Sequence, residues 1–358
     1  MTPYNDLPRW ARAASDAGKI ARLAARYQLL RRLIVELRST MAGGVAPPAE
    51  VYLEALDFET RYKSLDEMVL FVDGQLLEAL SNLDSDHPVQ RGIKEGYRRG
   101  VEAILPAIVS KISSGASFDE IMAFMAEERK VLAETVADMP SHQFGLPRID
   151  PGPRIGRTLY TSGGRFGAYK EAILALVTHD ERSFTLTESF KQSIGVEGVA
   201  ELRGRNTWAF IDGREIPIST LLVCDELPSN PKMRWLFSDS DAKEIEYPVA
   251  TLMHTDTEYI PAVWGRCVRL YDQVQSFNSD VEQLIELIAS LQWYLAHAML
   301  YCRGSAAMAE WLCWALFKVK KYDVTWMAQP DLEALMRPNI RDFITSYSSF
   351  SKLKGVYG

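Results

Sequence analysis

Leu284–Tyr322 reads LIELIASLQWYLAHAMLYCRGSAAMAEWLCWALFKVKKY. Apolar residues fill both halves at helical density, and a polar run from His297 to Ser305 divides them. The stretch predicts two apolar helices that meet at a short corner. Glu286, Gln292 and His297 interrupt the first half and Glu310 the second. Charged and polar side chains inside a lipid-facing helix are costly, so the pair reads as core helices and not as a membrane span.

Upstream, apolar positions at helical spacing predict helices over about 8–39, 49–82, 89–113 and 118–137. Ser117 and Glu120 have the spacing of a capping box, in which each side chain satisfies an orphan amide of the first turn. Met139–Arg157 holds four prolines and three glycines, which bar helix and predict a linker. A short helix follows at Tyr169–Val177, and then the period changes. Ser183–Ser189, Met233–Phe237 and Tyr247–Met253 are strand candidates. Trp208–Ile211 and Arg214–Ile218 flank Asp212-Gly213, a turn dipeptide suited to positive φ, and predict a hairpin. Helix resumes from about 262 to 347.

The expected fold is therefore α+β and predominantly helical: a helical N-terminal half, a small antiparallel β insertion and a helical C-terminal half. The expected divisions are a basic amphipathic arm (1–42), a helical domain (43–138), a Pro/Gly-rich linker (139–157) and a mixed α+β domain ending in a helical bundle (158–358).

At 358 residues, 47% apolar and 24% charged, the chain can build a sizeable core. Its net charge of −7, without long runs of one sign, does not point to nucleic acid. The charge is uneven, because residues 1–40 carry eight Lys/Arg against three Asp/Glu, or +5, which leaves −12 on the rest. Such an arm over residues 8–39 suits docking on the chain's own body, on a partner, or peripherally on a membrane. Cys224, Cys267, Cys302 and Cys313 show neither paired nor zinc-like spacing, so a reducing compartment is expected. MTPYNDLPRW has no apolar segment of a secretory signal, and a cytoplasmic location follows as the expectation.

Chemistry concentrates at the 297–305 corner. Ser305 is a suitable N-cap for the second helix, Gly304 allows close backbone approach, and Arg303 offers a bidentate fork. Together with the helix N-terminus they suit a phosphate, with His297 nearby as a general base. A capped helical turn in the core, with His297 satisfied by a neighbour, fits the same residues.

The corner resembles the Fic family (the Fido fold) around its HxFx(D/E)GNGR motif. His297 falls on the family histidine, Met299 on the apolar position and Gly304 on the second glycine. Tyr301 stands where the metal-binding acid belongs, Cys302 on the first glycine, Arg303 on the asparagine and Ser305 on the arginine. The resemblance implies an effector-like transferase that moves a group from a nucleotide-linked donor to a protein hydroxyl. It also implies His297 as base and Arg303, Gly304 and Ser305 as the phosphate cradle.

A second loop, Thr161–Gly167 with Arg165, precedes a helix bearing Lys170 and suits a phosphate nest or a plain linker end. The five histidines show no metal-ligand spacing, though His254 or His297 also suits an axial haem ligand. Two further readings stand beside the transferase: a non-catalytic helical interaction protein docking through its basic N-terminal helix, and a haem-binding helical enzyme. The partner is accordingly a protein target or a small-molecule ligand.

Overall fold

The computed structural model describes residues 88–137, 144–148, 157–160, 169–178, 184–185, 203–224, 248–278 and 280–355. The helices expected over 8–39 and 49–82, the strand candidate Met233–Phe237 and the loop with Arg165 lie outside those residues. The chain divides into two units, Met1–Gly96 with Glu134–Pro140, and Tyr97–Ala133 with Ser141–Gly358. Most described residues belong to the second.

Two helices open the described chain, α1 (Pro88–Ser113) and α2 (Phe118–Ala137). The capping box forms as its spacing predicts. The Ser117 amide and hydroxyl donate to the Glu120 carboxylate at 2.8 and 2.9 Å, and the Glu120 amide donates back to the Ser117 hydroxyl at 3.3 Å. Those bonds hold the Glu120 carboxyl below its ordinary range.

Next come β1 (Arg157–Tyr160), α3 (Lys170–Thr178), β2 (Phe184–Thr185), β3 (Arg203–Ile211), β4 (Arg214–Cys224) and β5 (Val249–His254). The five strands make one antiparallel sheet in the order β1-β5-β4-β3-β2. The predicted hairpin is β3–β4, longer than its apolar core suggested. Asp212 and Gly213 turn it with φ of 51° and 79°, the paired positive values of a type I′ turn. A register shift beside Thr207 leaves Ile218 as an extra residue on β4. Beyond it β4 is buried on both faces through Cys224. Leu221, Val223, Ala250 and Leu252 share one face and pack with Ile173, Leu174 and Val177 of α3. Burial of this kind stabilises by about 25 cal/mol per Å² of apolar surface.

The rest is helical: α4 (Ile260–Ser276), α5 (Val281–Ala298), α6 (Ser305–Val319), α7 (Pro330–Leu335) and α8 (Ile340–Phe350). α5 lies at the centre and packs against α4, α6, α7 and α8. Its Trp293, Ala296, His297 and Ala298 are almost wholly buried. The Tyr347 hydroxyl of α8 donates to the Gln292 carboxamide of α5 at 2.5 Å.

One departure from expectation is a second sheet, β6 (Tyr322–Trp326), inside the region read as helical, paired antiparallel with β7 (Ser351–Gly355) just beyond it. The two segments are five residues each with 24 residues between them, too short and too distant for local periodicity to register. The predominantly helical α+β class nevertheless holds. Among the described residues no helix is long and apolar enough to cross a membrane.

Candidate functional site

The corner between α5 and α6 is built as a packed joint. Met299 ends α5 in the left-handed region (φ 44°), and Gly304 starts α6 from the same region (φ 89°). Ser305 is therefore not the N-cap that the sequence suggested. It is the first helical residue, and its hydroxyl folds back to accept from the Tyr301 amide (2.8 Å) and donate to the Tyr301 carbonyl (3.0 Å). Gly304 does admit a close approach, but by Arg129 of α2. A Cβ at Gly304 would meet the Arg129 side chain at 2.7 Å.

A strap from the stretch read as linker closes the same corner. Gly145 donates to the Arg303 carbonyl (3.2 Å), Cys302 donates to Leu146 (2.8 Å), and the Arg148 amide donates to Leu300 (2.9 Å). Gly145 has φ 73°, and a Cβ there would meet the Ala126 carbonyl at 2.2 Å. The Arg129 guanidinium stacks over Phe144 at 4.3 Å and Tyr97 at 5.4 Å. The buried Arg148 side chain donates to the Ala298, Met299 and Thr255 carbonyls at 2.7–2.9 Å. A cation on the carbonyl end of α5 is favourably placed against the helix dipole. Burial lowers its pKa to about 10.

His297 sits inside this joint, fully buried. Its Nε2 faces the Ala334 carbonyl at 3.1 Å, which can only accept, so Nε2 carries the proton. Nδ1 then accepts from the Ser219 hydroxyl at 2.8 Å. The ring lies 4.6 Å from that of Trp293. Burial lowers its pKa to about 3, so the ring is neutral. Both nitrogens are occupied by protein, which leaves neither for a substrate proton or a haem iron. In this arrangement His297 takes the form of the satisfied core histidine that the same residues also allow. His254 is also buried, its Nδ1 donating to the His297 carbonyl at 3.1 Å, and burial with the nearby Arg148 charge lowers its pKa to about 3.

Of the other candidate residues, Arg303 is exposed with its backbone tied to the strap, and Lys170 is buried at the start of α3. Arg165 lies outside the described residues. Among the described residues no group of three or more His, Cys, Asp or Glu is arranged to hold a metal ion.

Among the described residues the two most exposed large apolar side chains lie on the hairpin. Along β3, Ala209 and Ile211 are buried while Trp208 and Phe210 point the other way, 51% and 71% exposed. Their cross-strand partners on β4 are Pro217 and Glu215. A cleft of about 530 Å³ adjoins the hairpin tip, lined by Ile211, Glu215, Ile216, Glu258 and Tyr259 among others. An exposed ion pair, Arg269 to Asp212 at 2.7 Å, ties the tip to α4. In WAFI the two aromatics stand at alternate positions. Period alone could not say which set faced water, because both are apolar.

Comparison with known proteins places this region in context. Residues 193–353 match the AvrB_AvrC family, described as avirulence protein. The match takes in the hairpin, the corner and the helices around them. Avirulence protein B of Pseudomonas savastanoi pv. glycinea is 24% identical over 190 residues, covering 51% of this chain and 57% of the relative. The chain thus spans little more than half the length of that curated protein. These matches correct the resemblance to the Fic family: the family whose model matches over His297, Met299 and Gly304 is the avirulence one. The absent acid at Tyr301 and the filled corner agree with that correction.

Proposed function

We propose that this chain is a bacterial effector that acts by binding a protein of the host cell, using the exposed face of the β3–β4 hairpin. The observation that carries the reading is the adjacent pair Trp208 and Phe210, two large aromatics left in water on a rigid hairpin. Aromatic side chains lose little conformational entropy on docking and dominate the energetics of protein interfaces. The similarity to avirulence proteins, among them avirulence protein B of Pseudomonas savastanoi pv. glycinea, supports the bacterial and host-directed part of the reading.

The competing use of the corner finds less support, since its histidine, glycine and serine are all engaged within the protein. The test is quantitative affinity purification from host-tissue extract. Wild type is compared with the double variant Trp208→Ala/Phe210→Ala and with His297→Gln. Proteins retained by wild type and by His297→Gln but lost by the double variant are the expected result. Equal retention by wild type and both variants rules the hairpin out.

A further inference from the structure

The C-terminal ribbon β6–β7 carries a charge opposite to that of the chain as a whole. Residues 318–325 and 351–355 hold five lysines and one aspartate, or +4, in a chain of net charge −7. Strand alternation sorts the ribbon by face. Val324 is buried, and the Trp326 ring meets Tyr347 of α8 edge-on at 5.8 Å. On the other face Thr325, Lys352 and Lys354 are exposed, with Thr325 across from Lys352 and Asp323 across from Lys354. Lys321 is exposed just ahead of β6.

Two of the five lysines are engaged within the protein. Lys318 pairs with Asp323, and the Lys320 ammonium donates to the Gln275 and Phe277 carbonyls at 2.9 and 2.7 Å. Among the described residues no carboxylate pairs with Lys321, Lys352 or Lys354. Met327 lies one residue beyond β6. Its amide continues the ladder to the Phe350 carbonyl at 2.8 Å, and its side chain is 48% exposed.

We infer that this face docks on an anionic bilayer surface, with Lys321, Lys352 and Lys354 against the headgroups and Met327 entering the interface. The side chains themselves select that partner. The three unpaired cations are lysines, compact charges that suit the diffuse field of a membrane, whereas a single phosphate calls for the arginine fork. Lysine stems lie along an apolar boundary while the ammonium stays in water. A protein partner is held by aromatic anchors, and the exposed Trp208 and Phe210 belong to the other sheet. Each lysine near an anionic surface strengthens binding about fivefold, so the three act as a set.

The test is lysine footprinting on the full chain, by acetylation and mass spectrometry. Phosphatidylcholine vesicles with about 30% phosphatidylserine should protect Lys321, Lys352 and Lys354, and phosphatidylcholine alone should not. Protection should vanish at about 0.5 M NaCl, where screening shortens the reach of surface charge. Lys352→Gln/Lys354→Gln should weaken partitioning onto the anionic vesicles about 30-fold. Thr325→Glu leaves every lysine in place and should weaken it about fivefold.

Unchanged acetylation of the three lysines overturns the inference even where the chain still binds vesicles, because another surface then makes the contact. Equal protection by phosphatidylcholine alone overturns it too. Protection by polyglutamate or duplex DNA but not by the anionic vesicles assigns the face to an acidic polymer, and the membrane reading falls.

Discussion

At the scale of single residues, the structure turns apparent catalytic groups into fasteners. The His297 ring bridges Ser219 of β4 and Ala334 of α7, and so ties the sheet to two helices through one neutral imidazole. His297→Ala should destabilise the fold by about 2–4 kcal/mol, from the cavity and two stranded polar groups, as read by urea unfolding. Arg148→Leu should cost about as much, because two buried carbonyls and one half-buried carbonyl lose their donor, and Arg148→Lys should not rescue it since an ammonium lacks the planar fork. Acid should act through the same histidines. His254 and His297 have folded pKa values of about 3, below the ordinary 6.5, so on acidification the unfolded chain takes up protons first. Their contribution is complete above pH 6.5 and drains as pH falls toward 3, by roughly 1.4 kcal/mol per pH unit for each imidazole. Urea midpoints at pH 7, 6 and 5 check this. A midpoint that does not move would show that these rings are protonated in the fold. The sequence marks these residues without telling a ligand site from a fastener, because a helix N-terminus after Arg-Gly-Ser has the same local signature whether a ligand or a strap occupies it. The strap residues 144–148 lie about 155 positions away, beyond the reach of any local pattern.

At the scale of elements, local chemistry was most legible where one dipeptide or one cap decides the backbone. Asp212-Gly213 fixed the hairpin, and Gly213→Val should cost about 1–2 kcal/mol, since a branched residue resists φ 79°. Thermal unfolding measures it. The neighbouring pair Asp212–Arg269 is exposed, and its loss should cost no more than about 1 kcal/mol. Helices α1, α2 and α3 begin and end within a residue or two of the apolar pattern. β6 and β7 were not legible. Each is a short strand whose only evidence is its partner, and the helices between them mask the alternation. Gly304 as the cap of α6 was equally hidden, for Ser305 is the better cap by type and loses only because its hydroxyl serves Tyr301.

At the scale of the whole molecule, the described residues engage both nitrogens of His297 inside the core and leave two neighbouring aromatics outside on one hairpin. That contrast is the physical basis for assigning recognition to the surface and stability to the corner. Trp208→Ala/Phe210→Ala should therefore leave the unfolding free energy within about 0.5 kcal/mol of wild type, as for other exposed substitutions. The measurement that separates the two roles most directly is the dissociation constant of a purified host protein for three chains: wild type, Trp208→Ala/Phe210→Ala and His297→Gln, each confirmed folded. The account predicts a loss of about 100-fold or more for the double variant and a value within about threefold of wild type for His297→Gln. An unchanged affinity for the double variant, with binding lost in His297→Gln, would contradict it.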